Sequence, residues 1–187
     1  VSIECDLKNL VLITYYAEIL KFEKGQTLAL ELWNHIIKTA PICFQNNEDT
    51  CLLRLMIVAG HNIENYGSFN KSSGYIFDAI DKLEQAKSKI PCELKAAFYY
   101  LPMTVHWEVE DYKQTLYFIN KILEICSQCS TVISDDYAYY FYLKAFILAY
   151  LNEHEESNYC FLKSSEVYEK SATGIKSHYY RNIQFNL

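Results

Sequence analysis

The sequence predicts an all-α fold, and three observations lead to that prediction. Apolar residues recur at intervals of three and four along nearly the whole chain, and sustained period-two alternation is hard to find. Five Gly and three Pro in 187 residues are too few for a loop-rich β protein or a disordered chain. An apolar content of 51% is enough to bury one continuous core. We therefore expect a single helical domain over residues 1–187 and, because the chain starts at Val1 without Met, a piece of a longer protein.

Glycine, proline and polar clusters mark the expected ends of the helices. The main breaks fall at Lys24-Gly25, Ala40-Pro41, 67–74 and Ile90-Pro91, and later breaks lie near 108–111, 129–136, 152–153 and 173–174. This pattern predicts about nine helices. Their expected ranges are 6–23, 26–39, 50–66, 73–88, 92–107, 111–127, 136–151, 155–170 and 175–185. Pro102 lies within the fifth helix and is expected to kink it or shift its start, because proline lacks the backbone donor.

The first eight helices are expected to form four antiparallel pairs, because small residues recur where two helices would approach closely. These small residues are Ala17, Gly60 and Ala145 on the first helices of the pairs and Ala29, Ala79 and Ser157 on the second helices. The predicted pairs span about 6–41, 50–91, 92–128 and 135–170. A last amphipathic helix over about 175–185 is expected to cap the stack.

The first pair carries Ile13, Ala17 and Leu20 on one helix and Ala29, Trp33 and Ile36 on the other, and Pro41 closes it. In these positions it resembles a tetratricopeptide repeat, and the later pairs fit the same pattern more loosely. The resemblance implies a right-handed superhelix of about four degenerate tetratricopeptide-like helix pairs plus a C-terminal capping helix. It also implies that the first helix of each pair lines a concave face.

The residues that would point into this concave face form a candidate peptide-binding groove. They are Arg54, His61, Asn65, Tyr100, Thr104, Trp107, Tyr139, Tyr142 and Phe146. Arg54 and Asn65 suit the backbone or terminal carboxylate of a peptide, and the aromatic residues suit its apolar side chains. The alternative is that several of these aromatics simply pack against the next repeat or the capping helix.

Charge and hydropathy exclude several classes of partner. A net charge of −6 argues against a surface that neutralises nucleic-acid phosphates, so the chain itself is not expected to bind DNA. The longest apolar run, 138–151, is shorter than the roughly 20 residues that a membrane helix needs. No paired carboxylates, catalytic triad or glycine-rich phosphate cradle is evident, so no enzymatic activity and no cofactor are expected.

Seven cysteines, an odd number, lie mostly within apolar helical patterns. This is the distribution expected of buried reduced thiols in a cytoplasmic protein, without a disulfide framework. Cys126 and Cys129 have the C-x2-C spacing of a metal knuckle or redox pair, but no second pair accompanies them, and no metal site is predicted. Tyrosines 137, 139, 140 and 142 surround one helix and indicate either a dimer interface or a compositional preference for tyrosine.

Three features suggest a family: the degenerate repeats from Ile13 to Ser164, the Tyr/Asn/Ile/Lys-rich segment 117–122 and the final segment 178–183. In these the chain resembles the C-terminal peptide-sensing domain of Rgg/PlcR-type transcriptional regulators. The resemblance implies quorum sensing, in which a re-imported signal peptide binds the groove and changes the geometry and DNA affinity of a homodimer. DNA contact would then belong to an N-terminal domain missing from this chain. The alternative function is a generic tetratricopeptide-type interaction scaffold or adaptor that uses the same concave face.

Overall fold

A computed structural model describes residues 6–21, 25–47, 50–65, 69–85, 90–129, 134–171 and 183. All regular secondary structure in these ranges is α-helical, which confirms the all-α prediction. The helices are α1 (Leu7–Leu20), α2 (Gln26–Asn47), α3 (Thr50–Asn65), α4 (Phe69–Gln85), α5 (Cys92–Glu108), α6 (Tyr112–Gln128), α7 (Ser134–Tyr150) and α8 (His154–Lys170). Their contacts divide the chain into two compact units, Val1–Leu94 and Lys95–Leu187. None of the helices in the described ranges has both the length and the apolar run needed to cross a bilayer.

Two of the predicted helix ends are wrong. The break at Ala40-Pro41 is absent, because α2 continues through Pro41 to Asn47. Ala40, Cys43 and Phe44 are fully buried around that proline, so packing compensates for the backbone hydrogen bond that proline cannot make. The break across 67–74 is also shorter than expected, since α4 starts at Phe69 and runs through Gly74.

Two other predictions about helix ends concern Pro102 and the capping helix. α5 contains Pro102 but still begins at Cys92, so the proline does not shift the start of this helix. The predicted capping helix over 175–185 lies outside the described residues except for Ile183, which is helical and fully buried.

The first unit is built around α2, which contacts α1, α3 and α4. Trp33, Ile36 and Ile37 have no exposed surface and form the centre of this packing. α4 makes its main contacts with α2 and few with α3. The long helix α2 therefore supplies one wall against which both α1 and α4 pack.

In the second unit, α7 packs against both α6 and α8. The hydroxyl of Ser157 donates to the carbonyl of Ala145 at 2.8 Å, and the hydroxyl of Ser164 donates to the carbonyl of Ala138 at 2.6 Å. A side chain on one helix reaches the backbone of the next only where the two backbones approach closely. All six small residues predicted to permit such approaches are buried in the structure.

Two connections in the second unit share one backbone geometry. The α5–α6 turn has Glu110 at φ 58 and the α7–α8 turn has Asn152 at φ 62, both in the left-handed region. In each turn the N–H of this residue donates to the carbonyl three residues earlier, and the next N–H donates to the carbonyl five residues before itself. This is the Schellman arrangement that ends helices. The second unit therefore contains two helix–turn–helix segments with matching connections.

Replacing Asp111 by alanine is expected to cost about 1 kcal/mol of stability through loss of a helix cap. The carboxylate of Asp111 accepts a hydrogen bond from the backbone N–H of Gln114 at 3.2 Å, at the start of α6. Glu153 occupies the same position before α8 but makes no such bond, so Glu153→Ala is a matched control expected to cost only a few tenths of a kcal/mol. Urea denaturation followed by circular dichroism measures both, and equal losses in the two variants would contradict the assignment of the cap.

Candidate functional site

Three residues of the predicted groove lie on α3, in the first unit. Arg54 and Asn65 are exposed, and His61 is half-buried between them along the same helix face. The Nδ1 atom of His61 lies 3.2 Å from Oε2 of Glu64. These three side chains are at least partly accessible to solvent, and their role in binding a peptide stays a prediction.

The other six predicted groove residues belong to the second unit, and two of them are buried. The hydroxyl of Thr104 donates to the carbonyl of Leu101 at 2.8 Å, so this polar group is used within its own helix. The ring of Tyr142 packs edge-on against Phe146, with centroids 4.8 Å apart, and against Phe161 at 6.1 Å. Tyr100, Trp107, Tyr139 and Phe146 are half-buried. Tyr142 therefore packs against other aromatic side chains of the same unit, which is the alternative that the sequence left open beside ligand binding.

The tyrosines of the α7 run pack partly against rings of their own helix and partly against rings of neighbouring helices. Tyr137 packs edge-on against Phe141 at 5.0 Å, and Tyr140 packs against Tyr100 at 6.4 Å. Burial, with smaller contributions from neighbouring groups, raises the pKa of the Tyr140 hydroxyl well above its ordinary value. Tyr137, Tyr139 and Tyr140 are half-buried and Tyr142 is buried within this chain, and a dimer interface on this helix stays a prediction.

A groove that was not predicted lies within the first unit, where α1, α2 and α4 meet. Its volume is about 850 Å³, within the range of small-molecule and peptide sites. We call it the α1–α2–α4 groove. Its apolar lining consists of Leu10, Leu12, Ile13 and Ile42. Its polar lining consists of Asp6, Asn9, His35, Lys38, Thr39, Tyr75, Asp78 and Lys82.

The charged groups of the α1–α2–α4 groove differ in their partners. Lys82 Nζ lies 2.6 Å from Oδ2 of Asp78, one turn away on α4. Asp6 accepts a hydrogen bond from the N–H of Lys8 and thereby caps α1. Lys38 Nζ lies 3.7 Å from the centre of the Tyr75 ring, and no carboxylate of the described residues is in ion-pair distance of it. Among the lysines that line the groove, Lys82 is paired, whereas Lys38 forms no ion pair with any residue in the described ranges.

An exposed apolar stripe on α1 begins at the rim of this groove. Leu12, Tyr15, Tyr16 and Ile19 follow one another at helical spacing, and each is more than half exposed. Leu12 also lines the α1–α2–α4 groove, so the stripe and the groove form a continuous surface. Contiguous apolar patches of this kind typically mark interaction sites.

Part of this groove was detectable in the sequence. His35, Lys38 and Ile42 follow one another at intervals of three and four, so their common face on one helix is predictable from the spacing. The contribution of Tyr75, Asp78 and Lys82 was not predictable, because it depends on α4 packing against α2. The repeat pattern instead predicts binding residues on α3, α5 and α7, the first helices of three of the predicted pairs.

The cysteines differ from the prediction. Cys43, Cys92 and Cys129 take part in disulfide bonds, so the expectation of a chain without disulfide bonds is wrong for these three residues. Whether two cysteines can bond depends on the distance and direction that the fold gives them, which their spacing in the sequence does not reveal.

The thiol of Cys126 is reduced and buried, and therefore it is not bonded to the neighbouring Cys129 of the C-x2-C segment. Burial, with a smaller contribution from Asp136, raises the pKa of Cys126 to about 11. Burial likewise raises the pKa of Cys160. Both thiols are protonated at neutral pH and are poor nucleophiles, as structural cysteines are.

Within the described ranges, no three His, Cys, Asp or Glu side chains form a group that could hold a metal ion. Comparison of the chain with protein-family models, with curated proteins and with solved structures found no match.

Proposed function

We propose that this chain is a non-catalytic module that binds a short peptide or a segment of a partner protein. The observation that carries the proposal is the α1–α2–α4 groove, in which an apolar floor is bordered by charged and hydrogen-bonding side chains. An apolar floor accepts the side chains of a peptide, and the polar rim orients its backbone and ends. The exposed apolar stripe of α1 extends the same surface beyond the groove.

The architecture also supports a finer proposal, that the helix pairs are degenerate tetratricopeptide-like repeats forming a right-handed superhelix. Its support is the burial of the small residues at the predicted approach points and the matching Schellman turns of the second unit. On this proposal the chain is the sensor domain of a peptide-responsive transcriptional regulator. The resemblance to the Rgg/PlcR type adds four further features to this proposal. They are homodimerisation, quorum sensing, a cytoplasmic location and DNA contact through an N-terminal domain.

The second candidate function is an interaction scaffold or adaptor, and the apolar stripe of α1 favours it. Tyr15, Tyr16 and Ile19 lie outside the α1–α2–α4 groove but are suited to packing against a partner helix. The two functions predict different effects of a substitution in the stripe. Ile19→Glu should abolish binding of a partner protein to the stripe, whereas peptide binding in the groove should be unchanged.

Peptide binding can be tested with a defined library and a matched pair of variants. The probe is a mixture of N-acetylated hexapeptides containing Leu, Ile, Val and Phe at four positions and Ser or Gln at two, prepared both as free acids and as carboxamides. Peptides retained by the protein after gel filtration are identified by mass spectrometry. The chain is expected to retain a subset of them, and Leu12→Glu should lose that subset because it places a charge on the apolar lining.

Leu162→Glu is the control, because Leu162 is a similarly exposed leucine on α8, outside the groove. Both positions are more than half exposed, so neither change should damage the core. Retention that falls equally in Leu12→Glu and Leu162→Glu, or an absence of retained peptides in the unmodified chain, would contradict the proposed function.

A further inference from the structure

We infer that the α1–α2–α4 groove is selective for the free C-terminal carboxylate of an apolar peptide, and that Lys38 provides this selectivity. The inference rests on the proposed function and adds to it the chemical class of the ligand and the residue that recognises its end. It concerns a surface of the first unit different from the α3 residues that the repeat pattern indicated.

Lys38 is an exposed lysine of α2 that lines the groove. Its ammonium group lies 3.7 Å from the centre of the Tyr75 ring, so a ring holds it at the groove while its hydrogen-bond donors remain available. The other lysine of the groove, Lys82, is already paired with Asp78 at 2.6 Å. A ligand carboxylate would therefore gain most by binding at Lys38, where it forms a charge-assisted hydrogen bond without displacing an existing ion pair.

A second polar side chain and several apolar residues line the groove together with Lys38. His35 lies one turn earlier on α2 and also lines the groove, so a second donor faces the same space. Leu10, Ile13 and Ile42 form the adjoining apolar lining. The groove thus combines a position for one negative group with a floor for apolar side chains.

The negative charges of the groove favour a terminal carboxylate over a segment with several acidic side chains. Asp6 and Asp78 belong to the same lining, so a segment containing several Asp or Glu residues would meet negative charge within the groove. A peptide terminus brings one carboxylate without further negative groups. A groove of about 850 Å³ holds a ligand of only a few residues, which also suits a chain end. The apolar stripe that starts at Leu12 then provides a path for the residues preceding the terminus.

The test compares acid and amide forms of the same peptide on two forms of the protein. The best-retained hexapeptide of the library is synthesised with a fluorescent label at its N-terminus, once as the free acid and once as the carboxamide. Dissociation constants are measured by fluorescence anisotropy for the unmodified chain and for Lys38→Gln. We expect the acid to bind the unmodified chain about tenfold more tightly than the amide. Lys38→Gln should remove this difference by weakening the acid alone.

Lys113→Gln is the control for a general effect of charge, because Lys113 is an exposed lysine on α6. It should leave the tenfold preference for the acid unchanged. Equal binding of acid and amide to the unmodified chain would overturn the inference while leaving peptide binding, and so the proposed function, intact. A loss of affinity for both forms in Lys38→Gln would likewise overturn it, and no binding of either form would contradict the proposed function as well.

Discussion

Replacing Ala145 by leucine is expected to lower the free energy of unfolding by about 1 to 3 kcal/mol or more, because the added carbon atoms have no space. Ala145 has no exposed surface, and its carbonyl accepts a hydrogen bond from the Ser157 hydroxyl of α8 at 2.8 Å. A larger side chain at this approach must either push α8 away or adopt a strained rotamer. Both outcomes disturb the buried hydrogen bond as well as the packing.

Ala149→Leu is the matched control, since Ala149 lies one turn later on α7 and is only half-buried. Its added carbons can extend toward solvent, so this change should alter stability much less. Urea denaturation followed by circular dichroism gives the free energies for both variants. An unchanged midpoint in Ala145→Leu would show that α7 and α8 are not in close contact at this position. Ala17, which is equally buried on α1, permits the same experiment in the first unit.

Replacing Trp33 by alanine is expected to cost about 3 to 5 kcal/mol of stability, the largest effect predicted for any single change here. Trp33 is fully buried in α2, the helix that contacts α1, α3 and α4. Removing the indole leaves a cavity at the centre of the first unit that neighbouring side chains can fill only in part. Since small proteins are stable by about 5 to 15 kcal/mol, this loss would remove a large share of the total.

Two variants make the test of Trp33 specific. Leu28→Ala removes an exposed apolar side chain from the same helix and should have a small effect. Trp33→Phe leaves a smaller cavity and should be intermediate. Chemical denaturation monitored by circular dichroism avoids relying on the fluorescence of the residue being replaced. Similar losses in Trp33→Ala and Leu28→Ala would contradict the role of Trp33 as the core of the unit.

Several features were predictable because they depend on local spacing. Ala17, Ala29, Ala79 and Ala145 are buried as the repeat pattern requires, since a helix places residues three and four apart on the same face whatever surrounds it. The start of α6 after Asp111 was also predictable, because an N-cap depends on one side chain and the backbone immediately following it.

The sequence by itself therefore determined the helical class, the core faces and most of the helix ends, whereas tertiary structure decided the rest. Pro41 was expected to end a helix, but burial of Ala40, Cys43 and Phe44 keeps α2 continuous. The α1–α2–α4 groove exists because α4 packs against α2, and disulfide bonding of Cys43, Cys92 and Cys129 likewise depends on positions set by the fold. The physical reason is the range of the interactions: helix periodicity and capping act within a few residues, while a groove or a disulfide requires segments far apart in the sequence to meet.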